Sequence, residues 1–357
     1  MLGLALMLAA SASAGSGWAT VAVPLTLGFP RDHGSHPEFR TEWWYVTGTV
    51  TDGNDRPFSF QLTFFRRGLD PSPPRPGASG LRARQVLAGH LAVADIAAGK
   101  VRFAERVRRM AAGLAFASTD ELEIVLDDWE MRRLASGAIA LSAGDRDVGA
   151  GVKLELHPEK APVLQGEGGV SLKGPEPGNA SAYVSLTRLA ARGTLTLGSR
   201  RLVVHGEAWL DHEWGSSQLG PGVVGWDWLG LRLADGRELM LYRLRRADGS
   251  TAPESAGTVV ERDGRTRHLS AGDFTLEPES SWSSPRSGAR YPATVHVRVP
   301  LAGLELTVRP EVADAELDAR SSTGTVYWEG PVAVTGTAAG QGYMELTGYA
   351  GSMAGLF

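Results

Sequence analysis

The chain of 357 residues contains no cysteine. That excludes disulfides, zinc–thiolate sites, thiol nucleophiles and an acylated lipoprotein cysteine together. An excess of either charge is missing as well: 40 acidic residues stand against 36 basic ones, a formal net charge of -4. Nucleic acid and anionic membrane are therefore not expected partners, since both call for clustered positive charge. The densest basic run, Lys100, Arg102, Arg106, Arg108 and Arg109, is broken by Phe103, Glu105 and Val107 and reads as a solvated strand face. Long apolar runs are also lacking. The best candidate, residues 1–14 (MLGLALMLAASASA), holds about 10 apolar residues, too few to span a bilayer. With Ala12-Ser13-Ala14 ahead of Gly15 it reads as a secretion signal, though no Lys or Arg precedes it. The expectation is a periplasmic or secreted mature chain without a transmembrane span. No Gly-x-Ser-x-Gly elbow, phosphate loop, dinucleotide fingerprint or zinc-protease helix occurs, which weakens hydrolase, kinase and dehydrogenase readings.

What the chain does have is turns and alternation. It carries 45 glycines and 20 prolines, with turn signals at Asp52-Gly53, Asp235-Gly236, Asp248-Gly249 and Asp263-Gly264. Between such signals, apolar residues recur every second position, as in Phe58, Phe60, Leu62 and Phe64. The stretches 295–299 (VHVRV) and 304–308 (LELTV) repeat the pattern, which is that of strands. Only 85–96 is ambiguous between helix and strand; strand is preferred. Two segments echo each other. Trp43–Arg66 and Trp226–Arg245 both open on two tryptophans, run to Asp-Gly and return as an apolar strand ending in Arg. A second echo pairs Gly206–Trp214 with Gly342–Ala350. Two copies of one β unit follow, with a boundary in the Gly- and Ser-rich 215–225 stretch. Antiparallel strands in such number close into ligand-holding barrels or stack as a pair of sandwiches. The Pro71–Gly80 segment reads as a loop near a barrel mouth.

Four places could carry chemistry. Asp32-His33-Gly34-Ser35-His36-Pro37 has a His-x-x-His spacing, but no third ligand lies nearby in sequence, so it reads as a capping loop and no metal is expected. In the strand that follows, Glu42 and Trp44 share one face, Trp43 and Tyr45 the other. In Trp209–Trp214, alternation puts Ala208, Leu210, His212 and Trp214 on one face and Trp209, Asp211 and Glu213 on the opposite one. His212 either lines a cavity beside a tryptophan wall or is a core histidine with its bonds made. Trp226-Asp227-Trp228 is the third place. Tyr242, on an almost wholly apolar strand, is the fourth; its hydroxyl needs a partner if buried.

These blocks carry a resemblance. Asp32–Pro37, Arg40–Tyr45, Ala208–Gly215 and Tyr327-Trp328-Glu329-Gly330 resemble the AttH/CrtC-type lipocalin-like family, which includes the carotenoid 1,2-hydratases (hydroxyneurosporene synthases). The resemblance covers about Leu25 to Phe357. It implies an all-β fold of two lipocalin-like (calycin) barrels, residues 24–214 and 215–357. It also implies His212 and Trp214 at a hydratase site, Tyr242 as a site tyrosine, and Asp227 or Glu42 as acid in place of an aspartate that the hydratases keep near that tyrosine. Trp43, Trp44, Trp214 and Trp228 would wall the ligand. Three readings stay open: an exported carrier of an apolar, isoprenoid- or carotenoid-like molecule, working with an ABC-type permease; a hydro-lyase adding water to a terminal alkene; and a structural module with no small ligand. No cofactor is expected.

Overall fold

A computed structural model describes residues 17–354 apart from 73–78, 80–81, 177 and 217–218. The expected signal segment and most of the Pro71–Gly80 loop lie outside the described residues. Among the described ones there is no α-helix, only strands, turns and two short 3-10 turns. The ambiguous 85–96 stretch is the strand Gln85–Asp95. Three of the four Asp-Gly signals build the same turn: Gly236, Gly249 and Gly264 take left-handed φ angles, and the preceding Asp accepts the backbone N–H two residues on.

The strands form two large antiparallel sheets. In the first, the hairpin Thr41–Asp52 and Pro57–Gly68 continues through Gln85–Asp95 to Lys100–Arg109. On its other side it continues through Arg200–Gly215 and Ala180–Leu197 to Ala150–Pro158 and shorter strands. In the second, the hairpin Val223–Leu233 and Glu238–Arg246 continues through Ala256–Val260 to Thr266–Ser270. Its other side runs through Gly340–Leu346 and Thr325–Gly336 to Leu304–Pro310 and Val295–Val299. The two orders match strand for strand. Both tryptophan hairpins are central, and both echoed closing strands pair beside them. The last strand of the first sheet ends at Gly215 and the first strand of the second opens at Val223.

Each sheet curls into a barrel around its own side chains. Trp44, Phe58, Phe60, Leu62, Phe64 and Trp129 pack the first; Leu229, Leu231, Val297 and Trp328 are among those packing the second. Burying each such side chain stabilises the fold by about 1.5–3 kcal/mol. The ligand-holding hollow expected inside a barrel is thus filled: inward positions carry indole and phenyl rings, bulky enough to occupy a barrel of this size. The basic run has the exposure expected of it, Lys100, Arg102, Arg108 and Arg109 facing solvent, and two of its arginines also make contacts across the sheet. Arg106 lies over the Trp129 ring (4.6 Å) and donates to the Gly144 carbonyl (3.0 Å), while Arg102 donates to the Val148 carbonyl (2.6 Å). These side chains fasten the edge strand across the seam instead of only facing water.

Candidate active site between the two sheets

The open space lies outside both barrels, where their outward faces meet. A cavity of about 80 Å³ is lined by Trp43, Tyr45, Thr63, Phe65, Tyr183, Asp211 and Glu213 from the first sheet. Trp226, Trp228, Tyr242, Leu244, Tyr327, Glu329 and Glu345 line it from the second, with Lys173 and Leu219 beside them. At about 10–15 Å³ per water it holds several. The lining repeats across the two sheets. Tyr45 stands opposite Asp211 and Thr63 in register, as Trp228 stands opposite Glu345 and Tyr242. Gly230 lets Trp228 lie flat: a Cβ there would come within 2.4 Å of the indole ring. The Trp228 Nε1–H then donates to the Tyr183 hydroxyl at 3.0 Å.

The cavity's acids differ in their company. Asp211 accepts from Tyr183 Oη (2.7 Å), Trp209 Nε1 (2.6 Å) and Ser185 Oγ, yet burial pushes its carboxyl up to about 7. Glu213 pairs with Lys173 at 3.0 Å. Burial alone would lower the Lys173 ammonium, but Glu213, with Tyr242 and Asp211, raises it; it is a fixed cation, seated 4.2 Å over the Tyr242 ring. The Tyr242 hydroxyl has partners in Ser171 Oγ (2.8 Å) and the Leu172 carbonyl (3.2 Å). At the other end, Glu329 and Glu345 are direct cross-strand partners. Burial, then mutual repulsion, holds the Glu329 carboxyl well above the usual range, and burial pushes Glu345 up to about 7. Glu345 accepts from Trp226 Nε1 at 3.0 Å. Glu329 Oε1 and the Tyr45 hydroxyl are buried and interact with each other, and no other side chain or backbone group bonds these two atoms. The carboxyl and the phenol face one another inside a ring of indoles.

Behind this wall, inside the first barrel, sits a second polar group. Glu42 Oε1 meets His36 Nδ1 (2.8 Å) and His212 Nε2 (2.9 Å); Glu42 Oε2 accepts from Arg66 Nε (2.7 Å) and Ser35 Oγ (2.9 Å). Burial would raise this carboxyl, but Arg66, helped by both histidines, holds it well below its usual value. Burial lowers the His212 imidazole, which stays neutral. Trp214 stacks on His36 at 3.8 Å and Trp44 on His212 at 4.7 Å. The His33-x-x-His36 pair does not act as a unit: His36, Glu42 and His212 offer donor atoms within 4.8 Å of one another, without His33. Arg66 already neutralises the carboxylate, so the set fits a buried hydrogen-bond network better than a cation.

The AttH-like family profile matches residues 20–349. The chain belongs to the AttH-like family. An AttH protein of Nitrosomonas europaea, solved by crystallography, is 36% identical and superposes with a TM-score of 0.83 over 93% of this chain and 99% of that one. Kievitone hydratase of Nectria haematococca superposes with a TM-score of 0.69 over 94% and 97%; at 14% identity it shares the fold. No curated protein sequence matches the chain.

Within this AttH-like fold the residues singled out by sequence divide into three places. Trp43, Trp228 and Tyr242 line the cavity. His212, Glu42, Trp44 and Trp214 gather on the opposite face of the same strands, in the closed network. Asp227 stands apart from both, bonded to Arg243 Nε (2.9 Å) and Tyr349 Oη (2.9 Å). The strand alternation read from sequence holds for Glu42, Trp43, Trp44 and Tyr45 and for His212 and Trp214. Sequence reasoning passed over Asp211, Glu213, Lys173, Glu329 and Glu345. A signal existed for two of them: Asp211 and Glu213 alternate with His212 in a strand whose both faces are rich in tryptophan, and such a strand buries its acids.

Proposed function

We propose that this chain is a hydro-lyase that adds water to, or removes it from, a carbon–carbon double bond of a small, mainly apolar molecule held between the two sheets. One observation carries the reading: a buried carboxyl held well above its usual value, Glu329, has only the Tyr45 phenol for company in a cavity walled by aromatic faces. In hydration, Glu329 gives its proton to one alkene carbon. The cation left on the other carbon faces the Trp43, Trp226 and Trp228 rings. Water attacks that carbon and its surplus proton passes to Asp211 as carboxylate; exchange with solvent then deprotonates Asp211 and reprotonates Glu329, so the sum is one water added. A polar group on the ligand would complete the hydrogen bonding of Tyr45 Oη and Glu329 Oε1, which have only each other. His212, Glu42, Trp44 and Trp214 are positioning residues, since they lock together the strands from which Tyr45 and Asp211 project. Kievitone hydratase, by its name, performs this class of reaction on the same fold, which supports the reading.

The test is incubation with kievitone and with acyclic carotenoids in heavy-oxygen water, followed by mass spectrometry. A product heavier by one labelled water is expected, and Glu329→Gln should slow its formation by about 10²–10⁴-fold. Undiminished turnover in that variant sinks the assignment. The carrier reading shares the cavity, but carriage has no use for a buried acid without a counter-charge. Export directed by residues 1–14, with a transport-type permease as partner, remains part of the proposal; a periplasmic protein beginning at Gly15 by mass supports it, and an uncleaved cytoplasmic one refutes it.

A further inference from the structure

The Glu329 and Glu345 end of the cavity has a charge problem that the chain itself does not solve. The two carboxyls lie directly opposite on adjacent strands, where Cβ atoms come within about 4.5–5.5 Å and like charges destabilise the pair. Among the described lining residues Lys173 is the only cation, and it is engaged by Glu213 and the Tyr242 ring. The other titratable groups facing the pair are Tyr45, Tyr327, Tyr343, Asp211 and Glu213, none of which supplies positive charge. Burying the two acids without a counter-charge is tolerated only while they keep protons. Around them stand the rings of Tyr45, Trp226, Trp228 and Tyr327. Two uncompensated carboxyls inside a cage of electron-rich rings have the composition of a site for an organic cation. The seat of Lys173 over Tyr242 shows that this wall already accepts an ammonium group.

We infer that the end of the cavity bounded by Tyr45, Trp226, Trp228, Tyr327, Glu329 and Glu345 binds an organic ammonium ion in exchange for a proton. The ion takes the place of one acidic hydrogen: N⁺ enters, a carboxyl ionises, and H⁺ leaves to solvent. It shares its cavity with the proposed hydration, whose cationic intermediate an ammonium of similar shape would imitate, yet binding needs no turnover. A failed hydration assay with intact ammonium binding overturns the reaction and leaves this inference standing.

Calorimetric titration of the full chain with choline, set against its neutral isostere 3,3-dimethylbutan-1-ol, tests it. At pH 7 choline should bind roughly tenfold tighter than the alcohol, the scale of a desolvated cation–aromatic contact. Repeating the titration in two buffers of different ionisation enthalpy should show about one proton released per choline and none for the alcohol. Glu329→Gln and Glu345→Gln, which keep side-chain shape, should each abolish the release and the preference. Equal affinity for the two compounds, no binding of choline, or choline binding to native protein without proton release overturns the inference. The buffer comparison uses native protein alone, so it decides even where a variant fails to fold.

Discussion

Glu42 shows how much a single side chain can hold. Its carboxylate is fully buried and gathers Arg66, Ser35, His36 and His212 from separate segments. Replacing it with glutamine leaves the Arg66 guanidinium buried without its counter-charge, a loss of about 3–5 kcal/mol. Urea unfolding at pH 7 should register it. Because its folded-state value lies below the ordinary 4.5, the stabilisation is full above that pH and drains away as pH falls below it. The gap between native and Glu42→Gln should therefore shrink in acid; a gap independent of pH contradicts the ion-pair account. Glu329, Glu345 and Asp211 work in the opposite sense. Their raised values mean that each costs stability as pH climbs from the ordinary carboxylate range towards 7. A fold that keeps three such acids accepts that cost at its cavity.

Among elements, the edge strand Lys100–Arg109 tells most. An edge exposes unpaired backbone groups and invites aggregation unless something covers it. Here arginine side chains reach across to Gly144 and Val148, and Gly89 lets the neighbouring strand press close to the opposite wall, where a Cβ would come within 2.7 Å of Leu126. Arg106→Ala should remove both its carbonyl contact and its seat on Trp129, costing about 1–2 kcal/mol. Hydrogen exchange over 100–109 should quicken while that of the central hairpin, Thr41–Asp52 and Pro57–Gly68, holds; unchanged exchange at the edge removes the seam from the account. The run was legible in sequence as basic and alternating. Its partners were not, because Trp129, Gly144 and Val148 reach it only when the sheet curls.

For the whole molecule, the decisive event is two copies of one sheet meeting by their outward faces. His90 helps to clamp that meeting: its ring nitrogens lie 2.8 Å from Tyr327 Oη and 2.8 Å from Ser322 Oγ, both on the other sheet. Burial pushes its imidazole down to about 3, so it joins the sheets as a neutral bridge. His90→Ala leaves the Tyr327 hydroxyl unpaired, at about 1–3 kcal/mol if it stays dry, while Ser322 keeps Glu105 and the Ala319 carbonyl. Calorimetry should then show two separable unfolding transitions where the native chain shows one; a single, merely lowered transition argues that His90 only packs.

Strands, their inward and outward faces, the repeat and the family were readable from the residues alone, because these follow from period-two alternation and from motifs a few residues long. Alternation also set Trp43 and Tyr45 opposite Glu42 and Trp44, and Asp211 and Glu213 opposite His212 and Trp214. What each face meets emerges only when the sheets come together. Barrel interiors fill with their own aromatic rings, while the outer faces, half of which a lone barrel would wet, close on each other around buried acids. Whether a carboxyl sits in water or in a ring of indoles depends on contacts hundreds of residues apart, and no local pattern encodes that distance.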